Sequence, residues 1–116
     1  FGWASYTSLN PSPAARWHHS MASDGVGIFM FGGEANGVYF RDLWYLDTSY
    51  PPRPSWTRLQ VAGIANRKLA SMRVMGDRVW LFGGLVPKYC YLTGGCGVNA
   101  STYDASSDMF YLNLGD

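Results

Sequence analysis

Charge, cysteine and long apolar runs are all scarce in this 116-residue chain. Charged residues make up only 15% of it, and nine Lys and Arg against eight Asp and Glu leave a net charge of +1. The basic residues are scattered, so nucleic acid is not an expected partner. No apolar run approaches the roughly 18 to 20 residues that a membrane-spanning helix needs, and we expect no membrane insertion.

Apolar and aromatic residues are plentiful, and glycine punctuates them. Hydrophobic residues reach 47% and aromatic residues 16%, which is enough to build a packed core. Fourteen Gly and six Pro separate short aromatic and β-branched runs, and no amphipathic helix stands out. This pattern predicts an all-β chain of many short strands joined by turns.

The chain contains an internal repeat. Arg16 matches Arg67 at a spacing of 51 residues, and the same register holds through the apolar runs 28–31 and 79–82. Further along, Asp42 matches Asp108 at a spacing of 66 residues, so the second copy carries 15 additional residues. The insertion spans 85–107 and is predicted to be a loop, because insertions accumulate in loops.

A tryptophan segment precedes each copy, Gly2–Tyr6 around Trp3 and Ser55–Leu59 around Trp56. The repeats therefore divide the chain into units 1–49 and 50–116, each ordered as strand four followed by strands one to three.

The order of these features resembles the kelch repeat, whose period is near 50 residues. The positions that carry the resemblance are Arg16, Gly32, Gly33, Tyr45, Trp56, Arg67, Gly83, Gly84 and Tyr111. The resemblance implies kelch-type β-propeller blades, here two four-stranded antiparallel sheets. The sequence departs from the family pattern at Ala70, where the first copy has His19.

Two blades make an incomplete ring, since propellers contain typically four to eight. The apolar strands lack alternation, which indicates that both faces of each sheet are covered. Three sources of cover remain open: further blades of a longer kelch protein, several copies forming a ring, or an open array of stacked blades.

Two cysteines and a glycosylation sequon lie in the insertion. Cys90 and Cys96 are predicted to form a disulfide, with free thiols as the alternative, and a single cysteine pair lacks the ligands of a metal site. Asn99 begins an Asn-Ala-Ser acceptor triplet for glycosylation. Together these features favour an extracellular or secretory-pathway protein, with a cytoplasmic location as the alternative.

Charged residues at repeated positions are predicted to be structural. Arg16 and Arg67 are each expected to make the same structural hydrogen bond in their own repeat. Asp42 and Asp108 are expected to accept hydrogen bonds from backbone N–H groups. His18 and His19 stand beside no recognisable nucleophile or carboxylate motif, so packing is favoured over acid–base chemistry.

The predicted function is recognition or scaffolding without catalysis or cofactor. The candidate binding residues of the insertion are Tyr89, Tyr91, Leu92 and Tyr103. Expected partners are another protein, further kelch blades, a second copy or a glycan. Alternatives are a structural subunit of a self-assembling extracellular polymer, a glycan-binding module and a non-catalytic part of a kelch oxidase.

Overall fold

The computed structural model describes residues 1–6, 11–49, 54–87 and 103–115. Within these ranges the chain is all-β and contains no helix, in agreement with the sequence prediction. No helix in this part is long and apolar enough to cross a membrane. The strands are β1 (Ser20–Ser23), β2 (Gly27–Phe31), β3 (Glu34–Ala35), β4 (Val38–Tyr39), β5 (Leu43–Asp47), β6 (Ser55–Leu59), β7 (Ser71–Met75), β8 (Arg78–Phe82), β9 (Leu85–Pro87), β10 (Tyr103–Ala105) and β11 (Met109–Asn113).

Sheet 1 is a complete four-stranded antiparallel meander in the order β1-β2-β5-β6. The tryptophan strand β6 lies at its outer edge, where Trp56 pairs with Leu46 of β5. The fourth strand of this sheet is therefore the one that precedes the second sequence repeat. A division of the chain after residue 49 separates β6 from the sheet that it completes.

Sheet 2 has three strands among the described residues, in the order β11-β8-β7. The predicted second four-stranded sheet thus lacks its outer strand in the described part of the chain. Residues 1–6, which the repeat predicts to be a fourth strand, form no strand, and Trp3 is fully exposed. The physical reason is that a fourth strand forms by pairing with the edge of a third strand, and residues 1–6 lie beside no such edge among the described residues.

Two small hairpins follow the double glycines. β3 pairs with β4 and β9 pairs with β10, both antiparallel. The insertion was predicted to be a loop from 85 to 107, but both of its ends are strands, and only 88–102 lies outside the described residues. Asn36 and Gly37 connect β3 to β4 with φ of 52° and 80°. Asn-Gly is the preferred sequence of such a two-residue turn, so the first hairpin was predictable and was missed.

The core lies between the two sheets. Phe29, Phe31 and Leu43 of sheet 1 are buried against residues of sheet 2. The buried partners from sheet 2 are Met72, Val79 and Leu81. The inner strands β1 and β7 lie against each other. Two sheets stacked face to face with neighbouring inner edges are the arrangement of adjacent propeller blades.

Candidate interaction site at the rim between the sheets

Arg16 joins the start of β1 to the start of β5. Its guanidinium donates to Asp42 Oδ2 at 2.9 Å and to the Gly32 carbonyl at 3.1 Å, and it lies 4.0 Å from the Phe40 ring centroid. Only 3% of the Arg16 side chain is exposed. The Arg16 prediction of a structural hydrogen bond matches these contacts. The Asp42 carboxylate accepts from Arg16 and from the Trp44 indole, two side-chain donors that were not predicted.

Ionisation of Asp42 is favoured overall. Burial opposes the carboxylate, but the hydrogen bonds from Arg16 and Trp44 outweigh this and hold the pKa of Asp42 below its ordinary value. The site is a fixed ion pair that fastens the first blade.

Arg67 occupies the same position in the second repeat with different partners. It donates to the Gly83 carbonyl at 2.9 Å and to Ser106 Oγ at 3.3 Å. Burial lowers the pKa of Arg67, while the charge of Asp108 acts in the opposite direction. Because the guanidinium remains charged and satisfied by these contacts, its role in the structure is to hold the strands together.

The double glycines let the two repeats approach closely. Gly32 and Gly33 have φ of 68° and 96°, and the Gly33 N–H donates to the Arg67 carbonyl at 2.9 Å. A Cβ on Gly32 would collide with that same carbonyl. Gly83 and Gly84 have equivalent conformations in sheet 2, with φ of 73° and 88°.

A charged cluster bridges the repeats at the rim from which the small hairpins emerge. We define the rim cluster as Glu34, Tyr39, Asn66, Lys68 and Tyr103. Lys68 Nζ donates to Glu34 Oε2 at 3.0 Å and lies 5.1 Å and 4.7 Å from the ring centroids of Tyr39 and Tyr103. Asn66 Nδ2 donates to the Tyr39 carbonyl at 2.5 Å. The cluster therefore fastens the second repeat to the first through a buried ion pair and an amide.

The rim cluster keeps Lys68 charged despite burial. Burial disfavours the ammonium, but the Tyr39 oxygen and the Glu34 carboxylate favour it more strongly, and the pKa of Lys68 is raised. His18 Nδ1 also lies 3.5 Å from Glu34 Oε1. Both carboxylate oxygens of Glu34 thus lie near side-chain nitrogens of the same chain.

Exposed apolar side chains lie beside the buried Lys68–Glu34 pair of the rim cluster. Val38 of β4, Leu69 and Tyr103 of β10 are 41%, 53% and 46% exposed. They come from both repeats and from the loops and hairpins that share one end of the sheets. Apolar side chains rimmed by polar groups are typical of contact surfaces.

The other predicted positions divide between described and undescribed residues. Tyr103 lies on β10 opposite Pro87. Tyr45 packs at 4.6 Å from Phe29, Tyr111 at 5.2 Å from Trp80, and Trp56 at 6.4 Å from Trp44, measured between ring centroids. Six predicted residues lie outside the described residues, so the binding, disulfide and glycosylation predictions there stay predictions: Tyr89, Cys90, Tyr91, Leu92, Cys96 and Asn99.

The histidines have structural contacts. His18 and Leu69 occupy equivalent positions with φ of 58° and 61°, and the Leu69 N–H donates to the His18 carbonyl at 2.8 Å. His18 also stacks on Trp17 at 4.5 Å. Burial and the charge of Arg16 lower the pKa of His19. His18 therefore belongs to the junction between the blades.

Sequence reasoning missed Glu34, Tyr39 and Lys68. Lys68 aligns with Trp17 and Glu34 with Leu85 in the repeat, so neither charge recurs. The signal that was available is that only the first copy carries an anion at one of these positions and only the second copy carries a cation at the other, which makes them a candidate ion pair between the copies.

Stacked antiparallel sheets with repeated glycine junctions define this chain as part of a β-propeller. A solved structure described as the structure of YjhT superposes on 90% of the chain and 30% of its own length with a TM-score of 0.64 and 16% identity, which shows the fold. No protein-family profile matches the chain.

Curated relatives identify the family. Host cell factor homolog hcf-1 of Caenorhabditis elegans is 30% identical over 73% of the chain. Kelch repeat-containing protein 2 of Saccharomyces cerevisiae is 29% identical over 76% of it, and tRNA wybutosine-synthesizing protein 4 of Candida albicans is 31% identical over 63%. The chain belongs to the kelch-repeat β-propeller family. It spans 12%, 11% and 10% of the lengths of these three proteins, respectively.

Proposed function

We propose that this chain is a non-catalytic kelch-repeat module that binds a protein partner through the rim between its two sheets. The observation that carries the proposal is the group of exposed apolar side chains, Val38, Leu69 and Tyr103, around the buried Lys68–Glu34 pair. Membership of the kelch-repeat family supports an interaction module. The predicted recognition residues Tyr89, Tyr91 and Leu92 lie in sequence between β9 and β10, and Tyr103 is the first residue of β10.

The rim suits recognition better than chemistry. Glu34 and Lys68 neutralise each other at 3.0 Å, and both are buried, so neither is poised to exchange a proton with a bound molecule. Tyr103 offers a rigid aromatic surface, the kind of side chain that carries much of the binding energy at protein interfaces.

Crosslinking from the rim tests the proposal. A photo-crosslinking amino acid replaces Tyr103 in the full chain, expressed in its native cells, and the matched control replaces Val26. Val26 is exposed on the β1–β2 hairpin, at the opposite end of sheet 1. We expect one dominant protein adduct from position 103 that is absent from position 26. Equal adducts from both positions, or none from 103, would contradict the rim as a binding surface.

We also propose that the module works outside the cell or in the secretory pathway. Support comes from the cysteine pair and the sequon of the insertion, which suit an oxidising compartment. Peptide mapping of the native protein without reduction tests this. A Cys90–Cys96 linked peptide and a glycosylated Asn99 peptide are expected, and free thiols with an unmodified Asn99 would contradict it.

A further inference from the structure

The two sheets expose complementary faces. Each sheet has two sides, which we call face A and face B. Face A is the side that carries Phe29, Phe31 and Leu43 in sheet 1, and face B is the side that carries Met72, Val79 and Leu81 in sheet 2. Face A of sheet 1 meets face B of sheet 2 in the core. Face A of sheet 2 carries the repeat equivalents of the first set and is open, with Phe82 47% and Met109 60% exposed. On face B of sheet 1, Met21 on the edge strand β1 is 46% exposed and Ile28 is half-buried, whereas Met30 on the inner strand β2 is buried.

The two open faces differ from the internal junction in the same way, because apolar residues stand at both where the junction has polar ones. The internal junction joins Glu34 to Lys68, and the equivalents at the two open ends are Leu85 and Trp17. It also joins Tyr39 to Asn66, whose equivalents are Ala105 and Ala15. Both polar pairs are therefore replaced by apolar pairs, and Trp17 is 57% exposed. The hairpin registers support this equivalence, since Glu34 pairs with Tyr39 as Leu85 pairs with Ala105.

The missing strand has a matching sequence in the same chain. β11 has an open outer edge among the described residues, whereas its equivalent β5 is covered by β6. Residues 2–6 align with β6; Trp3 there is fully exposed, and the Tyr6 hydroxyl donates to the Pro54 carbonyl of the same chain. In sheet 1, Leu43 of β5 pairs with Leu59 of β6. Their repeat equivalents are Met109 and Tyr6, so the same register would place Met109 opposite Tyr6.

We propose that face A of sheet 2 binds face B of sheet 1 of a second copy, head to tail, with Leu85 against Trp17 of that copy and its residues 2–6 as the fourth strand on β11. Such an interface is heterologous and closes if the rotation permits. This inference does not depend on the partner proposed for the rim.

The backbone of the internal junction predicts further bonds. The Gly33 N–H donates to the Arg67 carbonyl, and the Ser20 hydroxyl donates to the Ala70 carbonyl at 2.6 Å. Their equivalents are the Gly84 N–H and the Ser71 hydroxyl. In the assembly these donors face the carbonyls of Arg16 and His19 of the second copy.

A charge-exchange experiment on the full chain tests the interface. Sedimentation velocity over a concentration series is expected to show reversible association of the unaltered chain. Trp17→Lys alone and Leu85→Glu alone are each expected to weaken association at least about tenfold, because each buries an unpaired charge. The chain with both substitutions is expected to recover association to within about threefold, since it repeats the internal lysine–glutamate pair at every junction.

The controls separate assembly from folding. Val26→Lys, which changes an exposed side chain at the opposite end of sheet 1, is expected to leave association unchanged. The far-UV circular dichroism and urea midpoint of each variant show whether the monomer is intact. A monomeric unaltered chain, or a doubly substituted chain that folds but does not recover, would overturn the inference. A chain that stays monomeric and instead binds a separately produced kelch repeat would also overturn it.

Discussion

At the scale of single residues, repeated positions differ in what surrounds them. Gly32 and Gly83 share a left-handed backbone, with φ of 68° and 73°, yet only Gly32 meets the neighbouring repeat. A Cβ on Gly83 would lie 3.2 Å from the Ser106 carbonyl of its own repeat. These two positions therefore separate the cost of the backbone conformation from the cost of the junction.

Gly32→Ala is expected to destabilise the chain more than Gly83→Ala. Both substitutions cost about 1 kcal/mol for the left-handed conformation, and Gly32→Ala costs roughly 1 to 3 kcal/mol more because the Arg67 carbonyl must move. Urea unfolding at a concentration where the chain is monomeric measures the difference. Equal losses would show that the sheets tolerate a wider junction.

Asp42→Asn is expected to lower stability at neutral pH and to flatten its acid dependence. The Asp42 pKa is lowered in the folded chain, so its contribution is present above the unfolded pKa of about 3.9 and is lost as pH falls through the folded value. We expect a loss of about 1 to 3 kcal/mol at pH 7.

The pH dependence of the urea midpoint measures this effect, with Asp104→Asn as the control. Asp104 is exposed on β10, and its substitution is expected to change stability by less than about 0.5 kcal/mol. An unchanged acid dependence in Asp42→Asn would show that the Arg16–Asp42 pair does not contribute.

At the scale of strands and hairpins, the two tryptophan segments differ in whether they form a fourth strand. Trp56 on β6 contacts Trp44 edge to face, and β6 covers the outer edge of β5. Trp3 has the same sequence context and no strand partner in the described part of the chain. One sequence pattern thus gives a strand only where a third strand offers its edge.

Trp56→Ala is expected to cost about 2 to 4 kcal/mol in the monomer, and Trp3→Ala to change it by less than about 0.5 kcal/mol. The reason is that only Trp56 packs within its own chain. Chemical unfolding of dilute samples measures both values. A comparable loss in Trp3→Ala would mean that the Trp3 side chain packs on its own chain.

At the scale of the whole molecule, the Lys68–Glu34 pair couples the two sheets. Glu34→Leu alone is expected to cost about 3 to 5 kcal/mol because it leaves Lys68 buried without a counter-ion. Glu34→Leu combined with Lys68→Trp copies the apolar pair of the open ends and is expected to recover most of that loss. A double-mutant cycle on urea unfolding measures the coupling between the two positions. Additive losses would contradict a direct interaction between the sheets.

Much of the architecture was predictable because it depends on neighbours in sequence. The apolar runs at 28–31 and 79–82 predicted the central strands β2 and β8, and the repeat predicted two related sheets of one family. The Asn36-Gly37 turn was equally readable, since its conformation is a property of those two residues. Arg16 and Arg67 were predicted to be structural because they recur at equivalent places.

The amino-acid sequence by itself determined the strand-forming runs, the glycine conformations and the kelch repeat, because short-range sterics and continuous short runs of apolar residues dictate them. Only the tertiary structure decided that β6 belongs to sheet 1, that Asp42 binds Arg16, and that Lys68 reaches Glu34. Those outcomes depend on which edges and faces meet in space, and residues that lie far apart in the chain share no local signal of their contact.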